Sequence, residues 1–347
     1  MITPSPASAR SPRARLRSVL MTVCAIAAVA VLAMVGLAVF APRAHSTAIR
    51  ATPAAADARG AAATRGEEAQ DVPAGVGILT FVPPGGMHTT RNVGYGAAPD
   101  GTPVTLDVCF PVSKGKSRPA VLLVHGGGWV RGDKGTIGYH TVCEWLAAEG
   151  FVTFSADYTL GEQGRYPVAP AELRRAIAWI RQPATAARYG VDPQRIGLFG
   201  GSAGGSLAAL LATEGSGPTD TGTRVAALVD ISGPVDLTAQ GQLLGHPGPG
   251  LQSFELGYLG CTAFEGCRQA AAASAITHID PSDPPAFIQG SEFDFVPHEQ
   301  GDAFAAALRK AGVHTTLRLV PGRAHSIAQL DATTRTAVAA FLHRYLG

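Results

Sequence analysis

Seven short apolar runs rich in β-branched residues recur along the chain, at residues 104–110, 120–124, 151–155, 195–199, 226–231, 286–289 and 315–320. Each has the length of a strand and stands between polar segments that carry Gly or Pro. Between most of them the spacing of apolar positions changes to that of a helix. Residues 170–182 show this most clearly: Leu173, Ala176, Ile177 and Ile180 form one stripe, with Glu172, Arg174, Arg175 and Arg181 opposite. Further helices are predicted at 140–149, 203–212, 299–311 and 327–345. Strands alternating with helices predict an α/β architecture, a mainly parallel central sheet with helices on both faces. In such sheets functional groups gather at the carboxyl ends of the strands.

The first 86 residues follow another pattern. Arg10, Arg13, Arg15 and Arg17 precede an uncharged apolar stretch at 19–40. At about 1.5 Å per residue it is long enough to cross a bilayer core of about 30 Å. It has no polar face, so residues 1–45 read as a secretory signal or as an uncleaved anchor that would contact the membrane through 19–40. Residues 46–86 are rich in Ala, Pro and Gly and read as a tether, with a strand-like patch at 76–82. The globular domain is then expected at 87–347, outside the cytoplasm, either membrane-anchored or secreted.

Composition narrows this picture. A chain of 347 residues, 46% hydrophobic and 16% charged, can bury a large core. The net charge of +2 and the lack of Arg clusters with interleaved aromatics argue against a nucleic-acid partner. Of five cysteines, Cys24 falls in the apolar stretch and four remain for an oxidising compartment. Cys261 and Cys267 enclose a short loop with Gly260 and Gly266 and are expected to pair. Cys109 would then face Cys143, as a second disulfide or as two buried thiols. No close Cys-x-x-Cys pair exists, so no metal site is expected. Oligomeric state is not legible.

The candidate chemistry lies at two glycine-rich turns. Gly200-Gly-Ser-Ala-Gly-Gly205 follows one apolar run and precedes a helical one, the setting of a nucleophile elbow that would expose the Ser202 hydroxyl. His125-Gly-Gly-Gly-Trp129 follows the run at 120–124. There, amides of Gly127 and Gly128, with that of Ala203 after the serine, are candidates to stabilise an oxyanion. His125 is expected to brace this loop by hydrogen bonds. A serine nucleophile needs a base and a carboxylate to orient it. His325, in the loop between the last run and the last helix, is the candidate base. For the acid, Asp294 is favoured over Glu292; alternation beyond the strand at 286–289 would send both carboxylates to one side. Trp129 and Phe295 are candidates for the substrate pocket.

With these pieces in place, residues from about Asn92 onward resemble α/β-hydrolase serine esterases that carry His-Gly-Gly-Gly-Trp and Gly-x-Ser-Ala-Gly-Gly, in the bacterial branch related to acetylxylan and feruloyl esterases. Further likeness lies in Ser232-Gly-Pro-Val-Asp236 and in Pro321-Gly-x-x-His325. The resemblance implies the α/β-hydrolase fold, Ser202 as nucleophile, Asp294 as acid, His325 as base, and no cofactor. It implies a small-molecule or carbohydrate-linked ester as substrate, and residues 237–278 as a short insertion over the site. The segment after Gly290 is one residue longer than the usual pattern. Few bulky insertions surround the core, so short acyl groups are expected. A peptidase or amidase of the same fold, and a non-catalytic binding protein, are the alternatives.

Overall fold

The computed structural model describes residues 76–112 and 117–347. All of them belong to one compact unit, residues 65–347. The apolar stretch at 19–40 and Cys24 lie outside the described residues. Among the described residues no helix is long and apolar enough to cross a membrane.

Among the described residues eight strands form one sheet: β1 Met87–Ala97, β2 Pro103–Pro111, β3 Arg118–Val124, β4 Val152–Ala156, β5 Val191–Gly201, β6 Ala227–Ile231, β7 Ala286–Ser291 and β8 Thr315–Val320. Their spatial order is β1-β2-β4-β3-β5-β6-β7-β8. The β1–β2 and β2–β4 pairs are antiparallel and the rest parallel. All seven expected strands are present. The eighth, β1, escapes the hydrophobic pattern because it is an edge strand with mostly exposed or half-exposed residues.

Among the described residues seven helices cover the sheet: α1 Ile137–Ala148, α2 Val168–Ile180, α3 Pro183–Tyr189, α4 Ala203–Thr213, α5 Pro249–Leu259, α6 His298–Lys310 and α7 Ala332–Leu346. Alternation along the central strands builds two cores. Ala120, Leu122 and Val124 of β3 pack with α2 and α4 on one face, while Val121 and Leu123 pack with α1 and α7 on the other. The expected helix at 327–345 is split. Residues Ser326–Gln329 form a 3-10 turn, and α7 begins only after Asp331, whose carboxylate accepts the Thr334 amide proton at 2.7 Å.

Two expectations need correction. Glu172, placed on the solvent face of its helix by periodicity, has a fully buried residue surface. Its two oxygens accept from the amide and hydroxyl of Thr159 at 2.7 and 2.8 Å, which compensates the burial. The packed body also begins before Met87. Gly77–Thr80 is a 3-10 turn rather than a strand, Ile78 is 0% exposed, and Arg335 donates to the Gly77 carbonyl at 3.1 Å. One apolar side chain seated in the α1/α7 core outweighs the low hydrophobicity of its surroundings.

The expected Cys261–Cys267 disulfide is formed, and of the two possibilities left for Cys109 and Cys143 the structure has the disulfide. Cys109 of β2 joins Cys143 of α1, and Cys261 joins Cys267 in the loop after α5.

Candidate active site

Ser202 sits between the end of β5 and the start of α4 with φ 57° and ψ −128°, a backbone region that costs a non-glycine residue about 1–3 kcal/mol. The sharp turn requires α4 to pass close to β3: a side chain at Gly204 would collide with the backbone carbonyls of Val124 and His125. Strain and close approach together present the hydroxyl at the amino end of a helix, where unpaired N–H groups and the helix dipole favour negative charge.

The loop after β3 lies beside this turn. Gly127 and Gly128 have φ +125° and +59°, and a side chain at Gly127 would run into the Arg131 carbonyl. His125 is fully buried. Its Nδ1 lies 2.7 Å from the Gly126 carbonyl, its ring stacks on Tyr158 at 4.5 Å, and its own carbonyl accepts from the Tyr158 hydroxyl at 2.9 Å. Burial depresses its pKa, which suits a neutral brace for the loop. Tyr139 adds a second brace: its oxygen accepts the Gly126 amide proton at 2.7 Å.

Three side chains meet at the carboxyl ends of β5, β7 and β8. With the ring proton on Nδ1, His325 donates to Asp294 Oδ1 at 2.5 Å, and its Nε2 accepts from Ser202 Oγ at 2.8 Å. The Asp294 carboxylate is fully buried. Its Oδ2 accepts from the Ser232 hydroxyl at 2.6 Å and lies 2.9 Å from Gln329 Nε2. Ser232 Oγ in turn accepts the Ser326 amide proton at 3.1 Å, and Gln289 Nε2 donates to Gln329 Oε1 at 3.1 Å. Such an arrangement fixes the imidazole tautomer and leaves Nε2 free to take a proton from the hydroxyl.

Glu292 is not part of this line. The strand ends at Ser291 and the chain turns, so alternation does not continue past it. Glu292 is exposed, with Oε2 3.4 Å from the Gly322 amide, while Asp294 turns inward. Of the two aromatic candidates, Phe295 is 45% exposed and stands edge-on to the His325 ring at 5.6 Å. Trp129 is 3% exposed and stacks on Tyr258 of α5 at 4.7 Å, so its ring underlies the cover. Phe254, also on α5, lies against Gly128; a Cβ there would be 2.8 Å from its ring.

The sequence singles out Ser232-Gly-Pro-Val-Asp236 but gives Ser232 no role, and it gives no sign of Gln289 or Gln329; Ser232 and Gln329 reach Asp294 from separate elements, and Gln289 reaches it only through Gln329. Only the positive φ of Ser232, 60°, in a turn after a buried strand hints at a special role. Among the described residues no group of three or more His, Cys, Asp or Glu side chains is arranged to hold a metal ion.

Esterase LipQ of Mycobacterium tuberculosis is 31% identical over 260 residues, 72% of this chain and 60% of LipQ, so the chain spans about 60% of that relative's length. The ethyl acetate hydrolase of Pseudomonas putida is 29% identical over 63% of this chain and 69% of that protein. The solved esterase of Pyrobaculum calidifontis superposes with a TM-score of 0.60 at 26% identity, over 75% of this chain and 84% of its own. A carbohydrate esterase from gut microbiota superposes with a TM-score of 0.63 at 23% identity, over 74% of this chain and 96% of its own, a likeness of fold. A sequence model of the BD-FAE family matches residues 106–308, more than half of the chain. Strand order, serine turn and matched residues agree, and the chain belongs to the BD-FAE family, on the α/β-hydrolase fold.

Proposed function

We propose that the protein is a serine carboxylesterase that works through an acyl-enzyme on Ser202. The observation that carries this reading is the line from Ser202 through His325 to Asp294, at 2.8 and 2.5 Å. Ser202 Oγ attacks the ester carbonyl as His325 Nε2 takes its proton. The oxyanion forms beside the amides of Gly127, Gly128 and Ala203, donors of a kind worth roughly 3–4 kcal/mol each in the transition state. The imidazolium, held by Asp294, gives its proton to the departing alcohol. Water, deprotonated by the same nitrogen, then attacks the acyl carbon and releases the acid, restoring Ser202.

The substrate is a small-molecule or carbohydrate-linked ester with a short acyl group. Phe254 against Gly128 and Trp129 beneath Tyr258 narrow the space beside the oxyanion loop. A relative named ethyl acetate hydrolase supports the same size class. The two disulfides suit an oxidising compartment, which supports an extracytoplasmic location.

The test is hydrolysis of p-nitrophenyl acetate, butyrate, octanoate and laurate, beside the matching anilides, by wild type and Ser202→Ala. The acetate or butyrate is expected to turn over fastest and the anilides slowest. Ser202→Ala should fold normally and lose at least about a thousandfold in kcat/KM. Retention of most activity by Ser202→Ala, or preference for the anilides, contradicts the reading.

A further inference from the structure

The loop after β3 runs from His125 to Lys134, and both of its ends are fastened to the end of β4, the strand paired with β3. Tyr158 holds the His125 end, by its ring stack and its hydrogen bond to the His125 carbonyl. Ser155 and Asp157 hold the Lys134 end. The Asp157 carboxylate accepts from the Lys134 amide through Oδ1 at 2.8 Å and from the Lys134 ammonium through Oδ2 at 2.7 Å, while Ser155 Oγ donates to the Lys134 carbonyl at 3.1 Å. The amide, carbonyl and ammonium of one residue are thus all bound by two residues of the neighbouring strand end. Asp157 is itself fixed: its amide donates to the Thr105 carbonyl of β2 at 3.0 Å, and its carbonyl accepts from the Tyr95 hydroxyl of β1. The Lys134 side chain is 11% exposed and that of Asp157 27%, so water screens their contact only in part.

Between these fastened ends lie the glycines whose amides face the reaction. Gly127, Gly128 and Gly132 all have positive φ, and glycine has more backbone freedom to lose than any other residue, so the segment does not hold such a path unaided. It is folded back on itself. The amides of Val130 and Arg131 both donate to the Gly127 carbonyl at 3.1 Å, and a side chain at Gly132 would collide with the Gly126 carbonyl. A shift of Lys134 therefore carries Gly132 against Gly126 and displaces the amides of Gly127 and Gly128. Donors to an oxyanion act by being in place before the charge forms, and a misplacement of about 1 Å can cost about a hundredfold in rate.

We propose that Asp157 and Lys134 are a positioning pair for the glycine loop, whose contact keeps the Gly127 and Gly128 amides where the oxyanion forms. This role rests on the acylation of Ser202 proposed above. Neither residue touches the substrate; both act through the loop, so their loss is felt by the transition state more than by the bound ester.

The test compares wild type with Asp157→Asn, Lys134→Met, Ser202→Ala and Asp192→Asn. Asp192 is the matched control: at the amino end of β5, its Oδ1 accepts from the Gln194 amide at 3.0 Å and its Oδ2 from Arg195 Nε at 2.8 Å, and its side chain is 25% exposed. Each protein is measured for kcat/KM on p-nitrophenyl acetate, for thermal melting, and by calorimetry for affinity to 1,1,1-trifluorobutan-2-one. Ser202 Oγ adds to the carbonyl carbon of that ketone, its proton passes to His325 Nε2, and the C=O electron pair becomes an oxyanion. Asp157→Asn should lose at least about tenfold in kcat/KM, and Lys134→Met, which keeps the amide contact, severalfold. In both, ketone affinity should fall by the same factor, because both oxyanions lean on the same amides. Asp192→Asn should keep kcat/KM and ketone affinity within about twofold of wild type, whatever its melting temperature. If Asp157→Asn does not fold, Lys134→Met decides. Variants of the pair that match Asp192→Asn, or that lose activity with ketone affinity unchanged, overturn the inference and leave the acyl-enzyme standing. Absence of ketone binding by wild type, or binding undiminished in Ser202→Ala, contradicts the acyl-enzyme reading and this inference with it.

Discussion

Behind Asp294, most buried polar atoms are linked to one another: Ser232 and Gln329 serve one carboxylate oxygen, His325 the other, and Gln289 backs Gln329 through its amide nitrogen, its Oε1 being the one side-chain atom of the set without a partner. Beneath α5 the reverse holds. Glu255 Oε1, Gln242 Oε1, the Tyr258 hydroxyl and Trp129 Nε1 are all buried without a partner. A network in which nearly every member is paired holds its members in one geometry at low dielectric, whereas several orphaned groups together lower the local stability of the element that buries them. The chemistry and its cover are therefore built to different standards. Fixed positions suit the proton transfer proposed for Ser202, His325 and Asp294, and a less stable helix lies over the glycine loop after β3.

The sharpest way to break this contrast is at the carboxylate. Asp294→Asn should lower kcat/KM for p-nitrophenyl acetate by about a thousandfold or more, because the amide stabilises the wrong imidazole tautomer. Glu292→Gln, on the exposed side of the same turn, should stay within about threefold of wild type. A reversal of the two would make Glu292 the acid.

The next effect concerns the support of Asp294. Gln329→Ala removes a donor to a buried carboxylate and should cost about tenfold in kcat/KM, in line with a charge-assisted hydrogen bond of about 1.5–3 kcal/mol partly replaced by water. Gln329→Glu should cost more, since it sets a second carboxylate against the first. Steady-state kinetics with matched thermal melts separates these losses from unfolding.

The cover should respond to pH instead. Burial, aided by nearby Asp236 and opposed by the Gln242 hydrogen bond, pushes Glu255 from its ordinary 4.5 up to about 8. Between those values the unfolded chain has lost a proton that the folded chain keeps. The contribution of the neutral carboxyl is thus complete below about 4.5 and fades as pH rises to about 8, by up to about 1.4 kcal/mol per pH unit. Glu255→Gln should melt with wild type near pH 4.5 and progressively above it towards pH 8.5, with little change in kcat at pH 7. A constant difference across that range would remove Glu255 as the cause.

What was legible in the chain follows the same division. The central strands declare themselves because they are buried on both faces and read as continuous apolar runs. Ser202, His125 to Trp129 and His325 are legible because turns at strand ends need particular residues. Helix α5 does not declare itself although Pro249 opens it and Gly260, in the left-handed conformation at φ 67°, closes it; its buried residues, Leu251, Glu255, Tyr258 and Leu259, share one face, but the glutamate among them breaks the apolar pattern. Ser232 stands out only as the start of Ser232-Gly-Pro-Val-Asp236, with no role attached to it, and Gln289 and Gln329 carry no local signal. Their role exists only once β6, β7 and the turn before α7 converge on Asp294.

The central claim is that Ser202 becomes acylated, and trapping tests it most directly. Treatment of the full chain with a p-nitrophenyl alkylphosphonate, followed by peptide mass spectrometry, should give one stoichiometric adduct on the peptide containing Ser202, with loss of esterase activity in step. His325→Ala should slow that labelling at least about a hundredfold, as expected when the general base is removed. Labelling on another residue, or inactivation that leaves Ser202 unmodified, would contradict the account.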